Sequence, residues 1–313
     1  MSDEELIRQA NVEIEEERLL VAARLLRQVE KQESLTPGHC RVMEQAQVIQ
    51  NVIDVHLKPA QDDPTWKKQT ESHGHWDTLI YYKVEEHSKL TCRIETPIEA
   101  SLLVPLLAVF NESELYDQWM PKFRFPIKMG VRQSLKLTDR PGRGAQVCQV
   151  TVDMPFPISD REVVYDVYAV DAIEELSLIS MKGTSLQVGD ADGAVAEPEP
   201  GIKRIEFEVG WVIRQCPKDH PSLQNSKHEY AENEPVLLLS LTQFADAHVN
   251  YVPVSIINFV TRTALVGQWN SLLQVAQDVK DGKRPDHDKC IQDKQELYGW
   301  VNQRIEAMCA KMD

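Results

Sequence analysis

Few residues in this sequence are spaced for bond-making chemistry. His73 and His75 flank a single glycine, and two imidazoles so placed could begin a zinc site. No further ligands follow at a suitable spacing, and the pair stands in a polar stretch. The run Arg140-Pro-Gly-Arg-Gly144 is basic and glycine-rich, yet turn chemistry between two strands accounts for it better than phosphate binding. The paired carboxylates Glu85-Glu86 and Glu174-Glu175 fall in segments that read as solvated turns. The sequence has no Gly-x-Ser-x-Gly elbow, no Gly-x-x-x-x-Gly-Lys loop and no His-Glu-x-x-His helix. Its six cysteines (Cys40, Cys92, Cys148, Cys216, Cys290 and Cys309) are scattered without a Cys-x-x-Cys, which suits free thiols in a reducing compartment. The reading is therefore of a protein that is not an enzyme, with no catalytic residue, no metal site and no cofactor.

Composition narrows the partners. The 313 residues carry 34 Lys and Arg against 49 Asp and Glu, a formal net charge of −15. That balance disfavours nucleic acid, and it disfavours adhesion to anionic lipid by charge alone. With 42% hydrophobic and 27% charged residues the chain reads as globular. The acidic start Met1 to Glu5 is unlike a signal peptide, and the most apolar run, Leu102 to Phe110, is interrupted by Pro105. About 18 apolar residues are needed to span a bilayer. The expectation is a cytoplasmic protein.

The elements follow from periodicity. Residues 1–58 predict a helical hairpin. Leu6, Ile7, Ala10, Ile14, Leu19, Ala22, Ala23, Leu26 and Val29 recur at helical spacing, Ser34 to Gly38 turns the chain, and Val42, Met43, Ala46, Ile49, Val52, Ile53 and Leu57 continue. Its apolar seam serves equally to dock a protein partner or to pack on the rest of the chain. Residues 59–75 read as a linker. Two short strands, a broken helix over 97–121 and a run of about six strands follow. In the strand from Arg204 to Arg214, Ile205, Phe207, Val209, Trp211 and Ile213 share one face. A long apolar helix from about Val254 to Lys280 comes next, then an amphipathic helix from about His287 to Lys311 within a C-terminal extension, 283–313. A meander with one apolar face needs a cover, and the long helix supplies it, which makes the chain α+β. A gap left between sheet and helix would hold a hydrophobic guest.

Several strings, in this order, resemble the steroidogenic acute regulatory protein-related lipid transfer (START) family: Tyr116 to Pro121 with its Trp119 and Pro121, Pro155 to Tyr165 with the Asp160-Arg161 pair, and Tyr251 to Phe259. The resemblance spans about residues 75–282, and 76–282 is taken as the lipid-binding domain. Asp246 to Asn250 departs from the Asp-Pro-Gly-Gly-like turn common in the family. The resemblance implies a helix-grip fold: a curved, nine-stranded antiparallel sheet wrapped around a long C-terminal helix. It also implies one lipid held in the interior and exchanged with membranes. Wall candidates are Met129, Val131, Phe207, Val209, Trp211, Ile213, Leu239, Leu241, Ile257 and Leu265. Polar candidates are Arg132, Tyr165, Asn258, Thr261 and Arg262; Asn258, Thr261, Arg262 and Leu265 would share a helix face. Tyr251, Val252, Pro253 and Ile256 would form a gate that touches membrane transiently by apolar insertion. The alternatives are a helix-grip enzyme acting on a hydrophobic substrate, and an adaptor working through the hairpin.

Overall fold

The computed structural model describes residues 1–84, 89–124, 128–156, 158–224, 226–231, 233–246 and 263–312. Helix α1 (Asp3–Glu15) starts at Ser2, whose Oγ accepts from the Glu5 amide at 3.3 Å. The single first helix expected of the hairpin is broken. Glu17 adopts φ 59° and its carbonyl accepts from the Asp171 amide, so a tertiary contact splits off α2 (Leu19–Leu26). Helix α3 (Pro37–Leu57) begins at a capping box formed by Thr36 and His39, with Pro37 in the first turn.

The expected linker is partly strand: β1 (Lys67–His73). There follow β2 (Asp77–Val84), β3 (Lys89–Glu99), α4 (Leu103–Asn111), α5 (Tyr116–Trp119), β4 (Lys122–Phe123), β5 (Met129–Asp139), β6 (Gln146–Asp153), β7 (Asp160–Ala172), α6 (Ile173–Leu176), β8 (Leu178–Ser185), β9 (Ile202–Arg204), β10 (Glu206–Gln215) and β11 (Val236–Asp246). Helix α7 is described over Leu265–Lys280. The last expected helix is two, α8 (Pro285–Asp293) and α9 (Gln295–Cys309), separated by Lys294. One sheet joins the strands in the order β1-β2-β3-β11-β10-β8-β7-β6-β5-β4. All these pairs are antiparallel; β9 adds a short parallel pairing on β7. Among the described residues the sheet has eleven strands rather than nine, the additions including a two-residue β4 and a three-residue β9.

Alternation divides the sheet into two apolar faces. On the inner face Ile80, Ile94, Trp211, Ile213, Leu239 and Leu241 meet α4, Trp269, Leu272, Leu273 and Ala276 of α7, and Ile305 and Met308 of α9. On the outer face Val170, Ala172, Leu178 and Val212 bury Leu19, Ala22, Leu26, Ile49 and Ile53 of the hairpin. The hairpin seam is thus spent on the sheet of its own chain. Gly210 permits the approach, because a Cβ there would lie 2.9 Å from Val52 Cγ1. Arg93 fastens the end of α3: its guanidinium donates to the carbonyls of Val55 (3.0 Å) and His56 (3.2 Å) and to Glu95 Oε1 (2.8 Å). Burial alone would raise the Glu95 carboxyl, but the His220 hydrogen bond and the Arg93 charge bring it down to about 2. His56 bonds Ser240 and Thr242, and burial drives it down to about 3, keeping it neutral. No helix among the described residues is long and apolar enough to cross a membrane.

Candidate ligand-binding interior

The strand register sets the inner face. Cross-strand partners share a face, so Val131 with Val152, Ser134 with Val150, and Cys148 with Tyr165 point inward. Phe207, Val209, Trp211 and Ile213 continue the face on β10, and Leu239 and Leu241 on β11. Seven of the nominated wall residues (Val131, Val209, Trp211, Ile213, Leu239, Leu241 and Leu265) are buried; Met129 and Phe207 are half-buried. At the centre the edge of Phe110 meets Trp211 with centroids 4.2 Å apart, and Trp211 stacks on Trp269 at 5.5 Å and 14°. Trp269 Nε1 donates to Thr96 Oγ1 at 2.8 Å. These aromatics fill the middle of the interior, where a gap was expected.

Polar groups cluster towards β5–β7. Tyr165 faces inward and is buried beside Tyr116 and Cys148; burial raises both phenols and lifts the Cys148 thiol to about 11, so all three are neutral at physiological pH. Tyr116 donates to the Phe110 carbonyl at 2.5 Å. Ser134 Oγ and Trp119 Nε1 are buried and have no hydrogen-bond partner among the described residues. Arg132 does not join this cluster: it is exposed and pairs with Asp153 and Asp160, two carboxylates that draw it outward. Arg161 is buried on the inner face, where it donates to Ser159, and Glu162 pairs with Arg204. His73 lies between Asp77 (2.8 Å) and Glu71 (2.7 Å). Ile257, Asn258, Thr261 and Arg262, and the gate residues Tyr251, Val252, Pro253 and Ile256, lie outside the described residues.

A hollow of about 120 Å³ opens at one end of the inner face. Val167 and Ala169 of β7 and Ile179 and Met181 of β8 form its floor; Leu107 and Phe110 of α4 and Leu297, Trp300 and Val301 of α9 close it. No nominated wall residue lines it. The signal was present in the spacing of Leu297, Trp300, Val301 and Arg304, one helical face in a segment that sequence reading set outside the lipid-binding domain.

No family model and no curated protein matches the sequence. Solved structures do. Human STARD10 is similar with a TM-score of 0.50 at 13% identity, covering 78% of this chain and 82% of that one. A STAR-related lipid transfer protein from Xanthomonas axonopodis gives 0.47 at 16% identity, over 68% and 99% of the two chains. The lipid transfer and protein localization domain of human StarD13 gives 0.43 at 11%, over 75% and 96%. At such identity the likeness to STARD10 is one of fold: a curved antiparallel sheet gripping a C-terminal helix, here backed by an N-terminal helical layer. The chain has a START-like, helix-grip fold.

Proposed function

We propose that the protein binds a single hydrophobic lipid between the inner face of the sheet and α7, and carries or senses it between membranes. The observation that carries this reading is an extended apolar wall holding two buried polar atoms, Ser134 Oγ and Trp119 Nε1, that lack protein partners among the described residues. Leaving such an atom unpaired costs about 1–3 kcal/mol, and a ligand oxygen would remove that cost. The nominated walls, Tyr165, and the helix strip of Ile257, Asn258, Thr261, Arg262 and Leu265 belong to this proposal. Sites for drug-sized ligands run to about 300–1,000 Å³. The hollow beneath α9 is smaller than that, and a lipid lodged between the sheet and α7 requires the Phe110–Trp211–Trp269 stack to part.

Membrane contact belongs to the end of the sheet where β11 runs into the proposed gate, Tyr251, Val252, Pro253 and Ile256. The β6–β7 turn lies at that same end, and its Phe156 is 98% exposed. A fully solvated Phe on a turn is costly in water and suited to shallow insertion in a bilayer, which the net charge of −15 would not otherwise favour. The test is tryptophan emission during titration with vesicles of phosphatidylcholine, alone and with cholesterol or ceramide. A change that saturates at one lipid per chain is expected from Trp211 and Trp269. The absence of a saturable change with every composition contradicts the proposal.

A further inference from the structure

The hollow beneath α9 lies at the opposite end of the sheet from Phe156. It sits beside the β5–β6 turn and the α6 end of β7, and part of its wall is the C-terminal extension. Around this space Val167, Ala169, Ile179, Met181, Trp300 and Val301 are each only half-buried. The perimeter of α9 is held by polar bonds: Arg304 to Asp171, Arg304 to Glu174 at 3.3 Å, and Tyr298 to Glu112, both latter bonds bridging to elements beneath the helix. The helix is therefore clasped at its edges over apolar surface that no side chain fills.

We propose that this hollow is a second binding site, separate from the lipid compartment, for a small uncharged aromatic molecule bearing one hydroxyl group. Size sets the first limit. The space is about 120 Å³, and an apolar cavity of about 150 Å³ holds benzene, so one ring fits and a lipid does not. Phe110 and Trp300 supply aromatic walls that favour a ring over a linear chain. Charge sets the second limit. Carboxyl groups (Glu17, Asp171) and guanidinium groups (Arg143, Arg304) both stand at the rim, so an ion of either sign would meet a group of like charge there. Glu17 is buried at the mouth, where its carboxyl accepts from the Arg143 amide, and the Arg143 guanidinium lies 5.0 Å from the Trp300 ring centroid. Burial lifts the Glu17 carboxyl to about 7, so protonated and ionised forms coexist near neutrality. A hydroxyl donates to one form and accepts from the other, and so suits the mouth in both states.

Ligand-observed fluorine NMR on the full chain, with 4-fluorophenol and fluorobenzene as probes, tests this. The wild type is expected to bind 4-fluorophenol saturably, about tenfold more tightly than fluorobenzene, the difference expected of one hydrogen bond. Ala169→Leu fills the hollow from the sheet and Val301→Phe fills it from α9; each is expected to weaken the binding at least tenfold while circular dichroism stays unchanged. Two independent fillings keep the test valid if one of them disturbs folding. Glu17→Leu is expected to abolish the preference for the phenol. The proposal is overturned if the wild type shows no saturable binding, if both filled variants bind as well as the wild type, or if one equivalent of bound phospholipid or sterol displaces the probe.

Discussion

Replacing Arg93 by Met tests the way the hairpin is fixed to the sheet. The side chain is 2% exposed and holds three partners: two carbonyls at the C-terminal end of α3 and the Glu95 carboxylate. Met keeps most of the volume but removes the charge and every donor. Glu95 is then left buried with only the 3.3 Å contact to His220 among the interactions described above. Removing one partner of a buried ion pair costs about 3–5 kcal/mol, and the freed α3 carbonyls add to the disturbance. Urea unfolding at pH 7, followed by circular dichroism, should show a loss in that range. Because the folded-state value of Glu95 lies below its unfolded one, its contribution is present above about pH 4.5 and fades as pH falls towards 2. In the variant this acid-side slope shifts to higher pH. The double variant Arg93→Met/Glu95→Leu removes the stranded charge and should recover part of the loss. A single-variant cost below about 1 kcal/mol, or a double variant no more stable than the single, would refute the reasoning.

The remaining predictions concern the other faces of the molecule. Glu17 has a folded-state value raised from 4.5 to about 7, so its contribution to folding is fully present below pH 4.5 and is lost as pH rises to 7. The loss is about 3 kcal/mol at most, and Glu17→Gln should flatten urea midpoints measured between pH 5 and pH 8. Gly210→Val drives a side chain into Val52 and should lower stability by about 1–3 kcal/mol while exposing the hairpin to limited proteolysis. Burying a Phe gains about 1.5–3 kcal/mol, so Phe156→Asp should weaken sedimentation with neutral vesicles by about 10- to 100-fold without changing the unfolding midpoint; equal vesicle binding would remove Phe156 from the membrane contact.

The body of the fold was legible because period-2 and period-3.6 patterns report burial directly. Phe207, Val209, Trp211 and Ile213 face inward as their alternation indicates, and α7 supplies the covering face through Trp269, Leu272, Leu273 and Ala276. Breaks set by tertiary contacts were not legible. Nothing local marks Glu17 for a left-handed conformation, since the Asp171 amide that its carbonyl meets lies far along the chain. The alternatives for the hairpin could not be separated either, because a helix seam reads the same whatever it packs on; Gly210 and Arg93 acquire meaning only once β10 and β3 are seen behind α3. Bulky alternating residues predict an inward face, but not that Phe110, Trp211 and Trp269 stack at its centre or that a hollow lies under α9. Arg132 follows the inward-facing Val131, so alternation itself places it on the outer face, where Asp153 and Asp160 hold the side chain at the surface.

The most direct measurement is native mass spectrometry of the gently purified full chain, followed by extraction and identification of whatever it carries. The account predicts a mass excess equal to one lipid molecule, lost on extraction and restored by incubation with the extract. A chain that emerges at its bare mass, and stays there after incubation with phospholipid, sterol, ceramide and fatty acid in turn, would contradict it.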